Sequence, residues 1–104
     1  MYNPQDLNLL HCLLHKHRLS AFDLEVAVKT KFKHIKAQEM HQMHVYLREI
    51  TGEIEDYFAS VVDPMRLDNI PETELKTWLL DNYTWMDAKT LDTAYKNGLY
   101  YAVK

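Results

Sequence analysis

Between Met40 and Val61 the apolar residues Met40, Met43, Leu47, Ile50, Ile54, Tyr57 and Val61 follow one another at alternating steps of three and four. That is the spacing of one face of a helix. Thr51-Gly52 lies in the middle of the run and on its own reads as a hairpin turn. A turn there would put Leu47 and Ile50 on opposite faces and leave neither strand with an apolar side. The pattern therefore predicts one continuous helix over residues 37 to 62, with Gly52 on its outer face at a cost of about 1 kcal/mol relative to alanine. Asp63-Pro64 ends it, because the residue before a proline is driven out of the helical region. At about 1.5 Å per residue the helix spans roughly 35 to 40 Å, enough for the central strut of a small domain. The positions beside the stripe are Tyr46, Glu53 and Ser60 on one side and His44, Thr51 and Phe58 on the other. They lack the alternating Glu and Lys that set coiled-coil pairing, so the stripe is read as facing an internal core, with a dimer seam as the alternative.

Asn3-Pro4 supplies a cap and a first helical residue for a helix reaching to about residue 18. Leu7, Leu10, Leu13 and Leu14 cover one side of it, and Leu9 and Cys12 widen the apolar arc. Ser20 with Asp23 offers a second cap, after which Leu24, Val28, Phe32 and Ile35 form a helical stripe. The same segment also alternates, with Leu24, Val26, Val28, Thr30 and Phe32 on one face, which is a strand pattern. Such a strand could pair with residues 99 to 103 in a two-stranded β-ribbon. Helix is preferred because of the cap and because turn residues are scarce. Pro71, Glu72 and Glu74 open another helix with Leu75, Trp78 and Leu79 inward. Thr84 and Asp87 cap a last one carrying Ala88, Leu91, Ala94 and Tyr95, and Asn97-Gly98 reads as its stop.

Only two glycines and three prolines punctuate the 104 residues, too few turn formers for a β-rich domain. The expected fold is mainly α: a single domain, residues 1 to 104, built as a compact helical bundle of about five helices around the long central one, with the short ribbon left open. A chain of this length buries roughly 65% of its unfolded surface and needs neither disulfide nor metal to fold.

The net charge of −3 conceals a division. Residues 1 to 48 carry seven basic and four acidic residues, a net of +3, and all six histidines; residues 49 to 104 carry five basic and eleven acidic residues, a net of −6. Two electrostatic faces, or two halves that attract one another on folding, both account for this. Cys12 is the lone cysteine, which rules out an internal disulfide and points to a reducing, cytoplasmic setting. The opening segment has no basic leader and no continuous apolar run, so neither a signal peptide nor a membrane span is expected.

Candidate chemistry is sparse. His11 and His15 stand four apart and His41 and His44 three apart, both spacings at which one helix can present two ligands to a metal. On a helical wheel His11 and His15 fall on the polar side with Asn8 and Arg18 while Cys12 falls among leucines, so solvated histidines are the first reading and a metal site at His11 and His15 the alternative. Cys12 lies where a thiolate is disfavoured. Glu49 and Glu53 lie on a helix exterior, and no glycine-rich phosphate loop is present. Neither an enzyme nor a cofactor is expected.

The basic run KTKFKHIK places Lys29, Lys31, Lys33 and Lys36 close together. A solvated charged surface is the first reading, and contact with nucleic-acid phosphates is the functional one. Just upstream, LLHCLLHKHRLSAFDLEVAV resembles the first two helices of a helix-turn-helix or winged-helix regulator, in which a leucine-rich helix precedes a Ser-capped second helix. The resemblance covers about a fifth of the chain. It departs at KTKFKHIK, which supplies no tight turn, and the helix that follows is too long for a recognition helix. The acidic C-terminal quarter holds Trp78, Tyr83, Trp85, Tyr95, Tyr100 and Tyr101. Trp78 and Tyr95 are assigned to the core, and Trp85, Tyr100 and Tyr101 to a protein interface, where Trp and Tyr are the commonest anchors. The sequence thus points to a small non-enzymatic adaptor, regulator or inhibitor, a kind common in phages and mobile elements, that binds another protein as a monomer or homodimer. A nucleic-acid-binding regulator is the alternative, and a metal-binding protein the third reading.

Overall fold

The computed structural model describes residues 2–15 and 21–103, and among them places five α-helices: α1 (Pro4–Leu14), α2 (Ala21–Lys31), α3 (Ala37–Val61), α4 (Glu72–Asn82) and α5 (Ala88–Val103). A 3₁₀ turn at Leu67–Asn69 lies between α3 and α4. The fold is a helical bundle in which α3 and α5 form the principal pair, α1 packs on both, α2 packs on α1, and α4 packs on α5. α2 and α4 are thereby the outer helices. The bundle measures 45 × 29 × 20 Å, its long dimension close to what the 25 residues of α3 supply.

α1 starts as its sequence dictates. The Asn3 side chain accepts a hydrogen bond from the Gln5 amide at 2.8 Å, and Pro4 occupies the first turn. The continuation to residue 18 and the Ser20 cap fall outside the described residues. α2 is helical where the alternating pattern also allowed a strand, and residues 99–103 belong to α5, so no ribbon joins them. Val28 is half-buried, and Phe32, just past the helix end, is buried against the core, which is what the helical stripe required.

α3 passes through Gly52 without a break. Its buried residues are Met43, Leu47, Ile50, Ile54 and Phe58, so beyond Ile54 the stripe runs through Phe58 and leaves Tyr57 half-buried. Tyr57 instead stacks face to face on Trp78 of α4, 4.1 Å between ring centroids, and this accounts for Trp78 being half-buried, where the core was expected. The end of α4 is tied down by the Tyr83 hydroxyl, which donates to the Glu53 carboxylate at 2.8 Å. Burial, and then that carboxylate, push the Tyr83 phenol well above its ordinary range. Leu75, Leu79 and Tyr95 are buried as anticipated.

The last helix differs from its reading. Asp87 does cap it, its carboxylate accepting from the Thr90 amide at 2.7 Å, and these hydrogen bonds hold the Asp87 carboxyl below its usual range. Asn97-Gly98, however, does not stop the helix, which continues to Val103. Gly98 is there because the Phe58 ring of α3 lies where a β-carbon would be. Small residues that allow close approach and small residues that end helices look alike in a sequence. Gly52 is the opposite case, with nothing within 4 Å of an added β-carbon. Gly52→Ala is expected to raise stability by about 1 kcal/mol, seen as a higher urea midpoint with unchanged slope.

Candidate functional site

The three aromatic residues proposed as an interface do not form one surface. Trp85 sits in the connection between α4 and α5 and is half-buried; its indole N–H donates to the Tyr46 hydroxyl at 3.0 Å. Tyr46 in turn lies against Tyr2, 5.6 Å between centroids. Asn8 of α1 holds the Trp85 segment in place, donating to the Trp85 carbonyl at 2.9 Å and accepting from the Asp87 amide at 3.1 Å. Trp85 is thus at the start of α5, and its polar atom is already satisfied within the protein. Tyr100 and Tyr101 stand on the last turn of α5, roughly 20 Å from its first turn along the axis. They are 68% and 48% exposed, on a turn anchored from beneath by buried Gly98 and Ala102. Ile54 and Ala94 line one cavity and Phe58 meets Gly98, so α5 runs in the same sense as α3, and Met65, 90% exposed just past α3, shares this end of the bundle.

The four lysines are all exposed but lie on three structural elements. Lys29 and Lys31 occupy the last turn of α2, where positive charge suits the helix dipole, and Lys29 pairs with Glu25 at 3.0 Å. Lys33 is in the following turn, and Lys36 holds the N-cap position of α3. This basic flank belongs to one outer helix and the start of α3. The other outer helix, α4, carries Glu72, Glu74 and Asp81, with Lys76 paired to Glu72 at 2.8 Å. The sequence's charge division thus leaves a basic cluster at α2 and the start of α3 and an excess of acidic residues on α4.

The histidines depart most from their sequence reading. His11 is not on a solvated face: it is buried at 2% exposure, because α5 packs against the flank of α1 that carries it. Its ring stacks on that of His15 at 4.1 Å, and His15 Nδ1 is 2.9 Å from the His11 carbonyl oxygen. Burial first, and then the neighbouring His15, lower the His11 pKa to about 4, while Asp87 opposes them. A signal for this was present in the sequence, since Leu7, His11 and Leu14 are themselves a helical stripe with steps of four and three. Stacked rings, one with a nitrogen already engaged, do not converge on a shared ion. Among the described residues no group of three or more His, Cys, Asp or Glu side chains is placed to hold a metal. Cys12 is half-buried on another flank of α1, beside Leu9 and Thr90. In the second pair, His41 is exposed and His44 half-buried, its pKa lowered by burial and then by Arg48 and His41.

His11 and His15 line a small cavity of about 20 Å³ together with Thr51, Ile54 and Glu55 of α3 and Ala94, Asn97 and Gly98 of α5. His11 Nδ1 and Asn97 Nδ2 are buried and meet no hydrogen-bond partner among the described residues. No described helix is long and apolar enough to cross a membrane. Comparison with protein-family models, with curated proteins and with solved structures finds no match to this chain.

Proposed function

We propose that this chain is a non-enzymatic interaction protein, an adaptor, regulator or inhibitor, that binds another protein through the C-terminal turn of α5. The observation that carries the reading is the exposure of two consecutive tyrosines, Tyr100 and Tyr101, on a helix whose opposite side is locked onto Phe58. Tyrosine brings a large apolar body, a polar tip and little rotamer entropy, so two of them on a rigid element form a preorganised contact. Trp85 is left out of this surface, since its indole N–H is spent on Tyr46. The net of −6 over residues 49 to 104 favours a partner whose contact surface is rimmed by basic residues.

The second reading is nucleic-acid binding by Lys29, Lys31, Lys33 and Lys36, favoured by the exposure of all four. Two variants separate the readings: Tyr100→Ser with Tyr101→Ser, and the four lysines reversed to Glu. With a partner isolated on the wild-type chain, the tyrosine variant is expected to lose roughly tenfold to several hundred-fold in affinity, and the lysine variant little. In gel shifts with unrelated DNA and RNA, binding that falls steeply with salt and is abolished by the lysine reversals would replace the protein-binding reading with its rival.

A further inference from the structure

We propose that the pocket walled by Tyr2, Tyr46 and Trp85 binds the side chain of an arginine presented by a protein partner. The pocket measures about 460 Å³, within the range of about 300 to 1,000 Å³ typical of ligand sites. The Tyr2 and Tyr46 rings stand 5.6 Å apart between centroids and are tilted by 38°; those of Tyr46 and Trp85 stand 6.3 Å apart and are tilted by 54°. The three rings are therefore angled walls and not one flat patch. Buried Leu7 lies beneath them, and exposed Asn82 and Thr84 stand at the mouth.

The lining selects a cation. Trp85 spends its only side-chain donor on the Tyr46 hydroxyl, so what it offers a ligand is its ring. Asn82 spends Nδ2 on the Trp78 carbonyl and presents Oδ1, an acceptor. Among the described residues no Lys, Arg or His lines the pocket, and acidic groups border it. Glu49 and Glu53 follow Tyr46 by three and seven residues and so share its flank of α3. Glu53 accepts from the hydroxyl of Tyr83, the residue between Asn82 and Thr84, and Asp81 is exposed on the last turn of α4. Lys36 and Glu39 share a neighbouring groove with Tyr2, where their charges offset one another. Aromatic faces and an acidic border both attract positive charge and oppose an anion. Arginine uses the rest of the lining as well: its planar, weakly hydrated guanidinium stacks on a ring while its N–H edge donates to Asn82 Oδ1, and its stem covers Leu7. A quaternary ammonium has no N–H to donate, and a lysine ammonium is more strongly hydrated. The pocket lies apart from Tyr100 and Tyr101 and does not rest on their role.

The test is an NMR titration of the isotopically labelled full chain near pH 7 with a capped Gly-Arg-Gly tripeptide. Saturable shifts of the Trp85 indole N–H signal are expected. The citrulline analogue, which keeps the shape and loses the charge, should bind about tenfold more weakly or worse. Tyr2→Ala, a change outside the helices, should weaken the arginine peptide by about threefold to tenfold. Equal binding of the arginine and citrulline peptides to the wild type would overturn the proposal, as would the absence of any shift at Trp85. Tighter binding of choline would assign the pocket to a quaternary ammonium, and tighter binding of free arginine would assign it to a small molecule; either result would also overturn it. All four of these readings are taken on the wild type and do not depend on whether a variant folds.

Discussion

Gly98→Ala is expected to destabilise the protein by about 1 kcal/mol, although the same change at an exposed helical glycine stabilises. An added β-carbon would lie 2.6 Å from Phe58 Cδ2 and 2.8 Å from Phe58 Cε2. Phe58 has no room to retreat: it is fully buried, with the Tyr95 ring edge-on at 6.0 Å and the Tyr57 ring at 6.4 Å. Overpacking of this kind costs typically about 1 to 3 kcal/mol, partly offset by the better helix propensity of alanine, about 1 kcal/mol. Phe58→Ala alone should cost about 3 to 5 kcal/mol by opening a cavity. In that background Gly98→Ala should become neutral or stabilising, because the methyl enters vacated space. The double-mutant cycle in urea therefore carries a coupling of about 2 kcal/mol. A Gly98→Ala protein as stable as wild type would mean that α5 is not seated on Phe58.

Acid should weaken the fold through His11. Its pKa in the folded state, about 4, lies below the ordinary 6.5, so the folded protein holds the ring neutral while the unfolded chain takes up a proton first. The stabilisation is complete above about pH 7 and is lost as pH falls from 6.5 towards 4. At roughly 1.4 kcal/mol per pH unit, the loss approaches about 3 kcal/mol. The groups facing His11 set the size of the effect: His15 on its own helix favours the neutral ring, and Asp87 at the start of α5 favours the charged one, while Glu55 of α3 lines the same cavity. His44, also lowered, adds in the same direction. Urea midpoints between pH 7 and 4.5 should therefore fall more steeply in wild type than in His11→Gln. Parallel slopes would contradict the burial of a neutral histidine.

Much of the architecture was legible because it is local. The three-and-four spacing set α3 correctly, and the Asn3-Pro4 and Asp87 caps acted as their chemistry requires. The errors arose where meaning depends on a partner helix. A heptad pattern drifts against a straight helix of 3.6 residues per turn, so after two heptads Phe58 replaced Tyr57 on the inner face. Asn97-Gly98 carries the same letters whether it ends a helix or admits a ring, and only the position of Phe58 distinguishes the two. His11 reads as polar until α5 covers that side of α1. The candidate site was legible as a set of residue types and illegible as a surface, because Trp85 lies in the connection that precedes α5 and Tyr100 on the last turn of that helix.

Protein recognition by the C-terminal turn of α5 is tested most directly by photo-cross-linking in the cells that make the protein. A benzophenone side chain is introduced into the full chain in place of Tyr101 or, separately, in place of Lys31. The expected result is one protein captured from position 101, competed away by unlabelled wild-type chain but not by Tyr100→Ser with Tyr101→Ser, and nothing specific from position 31. Nucleic acid captured from position 31, with no protein captured from position 101, would contradict the account.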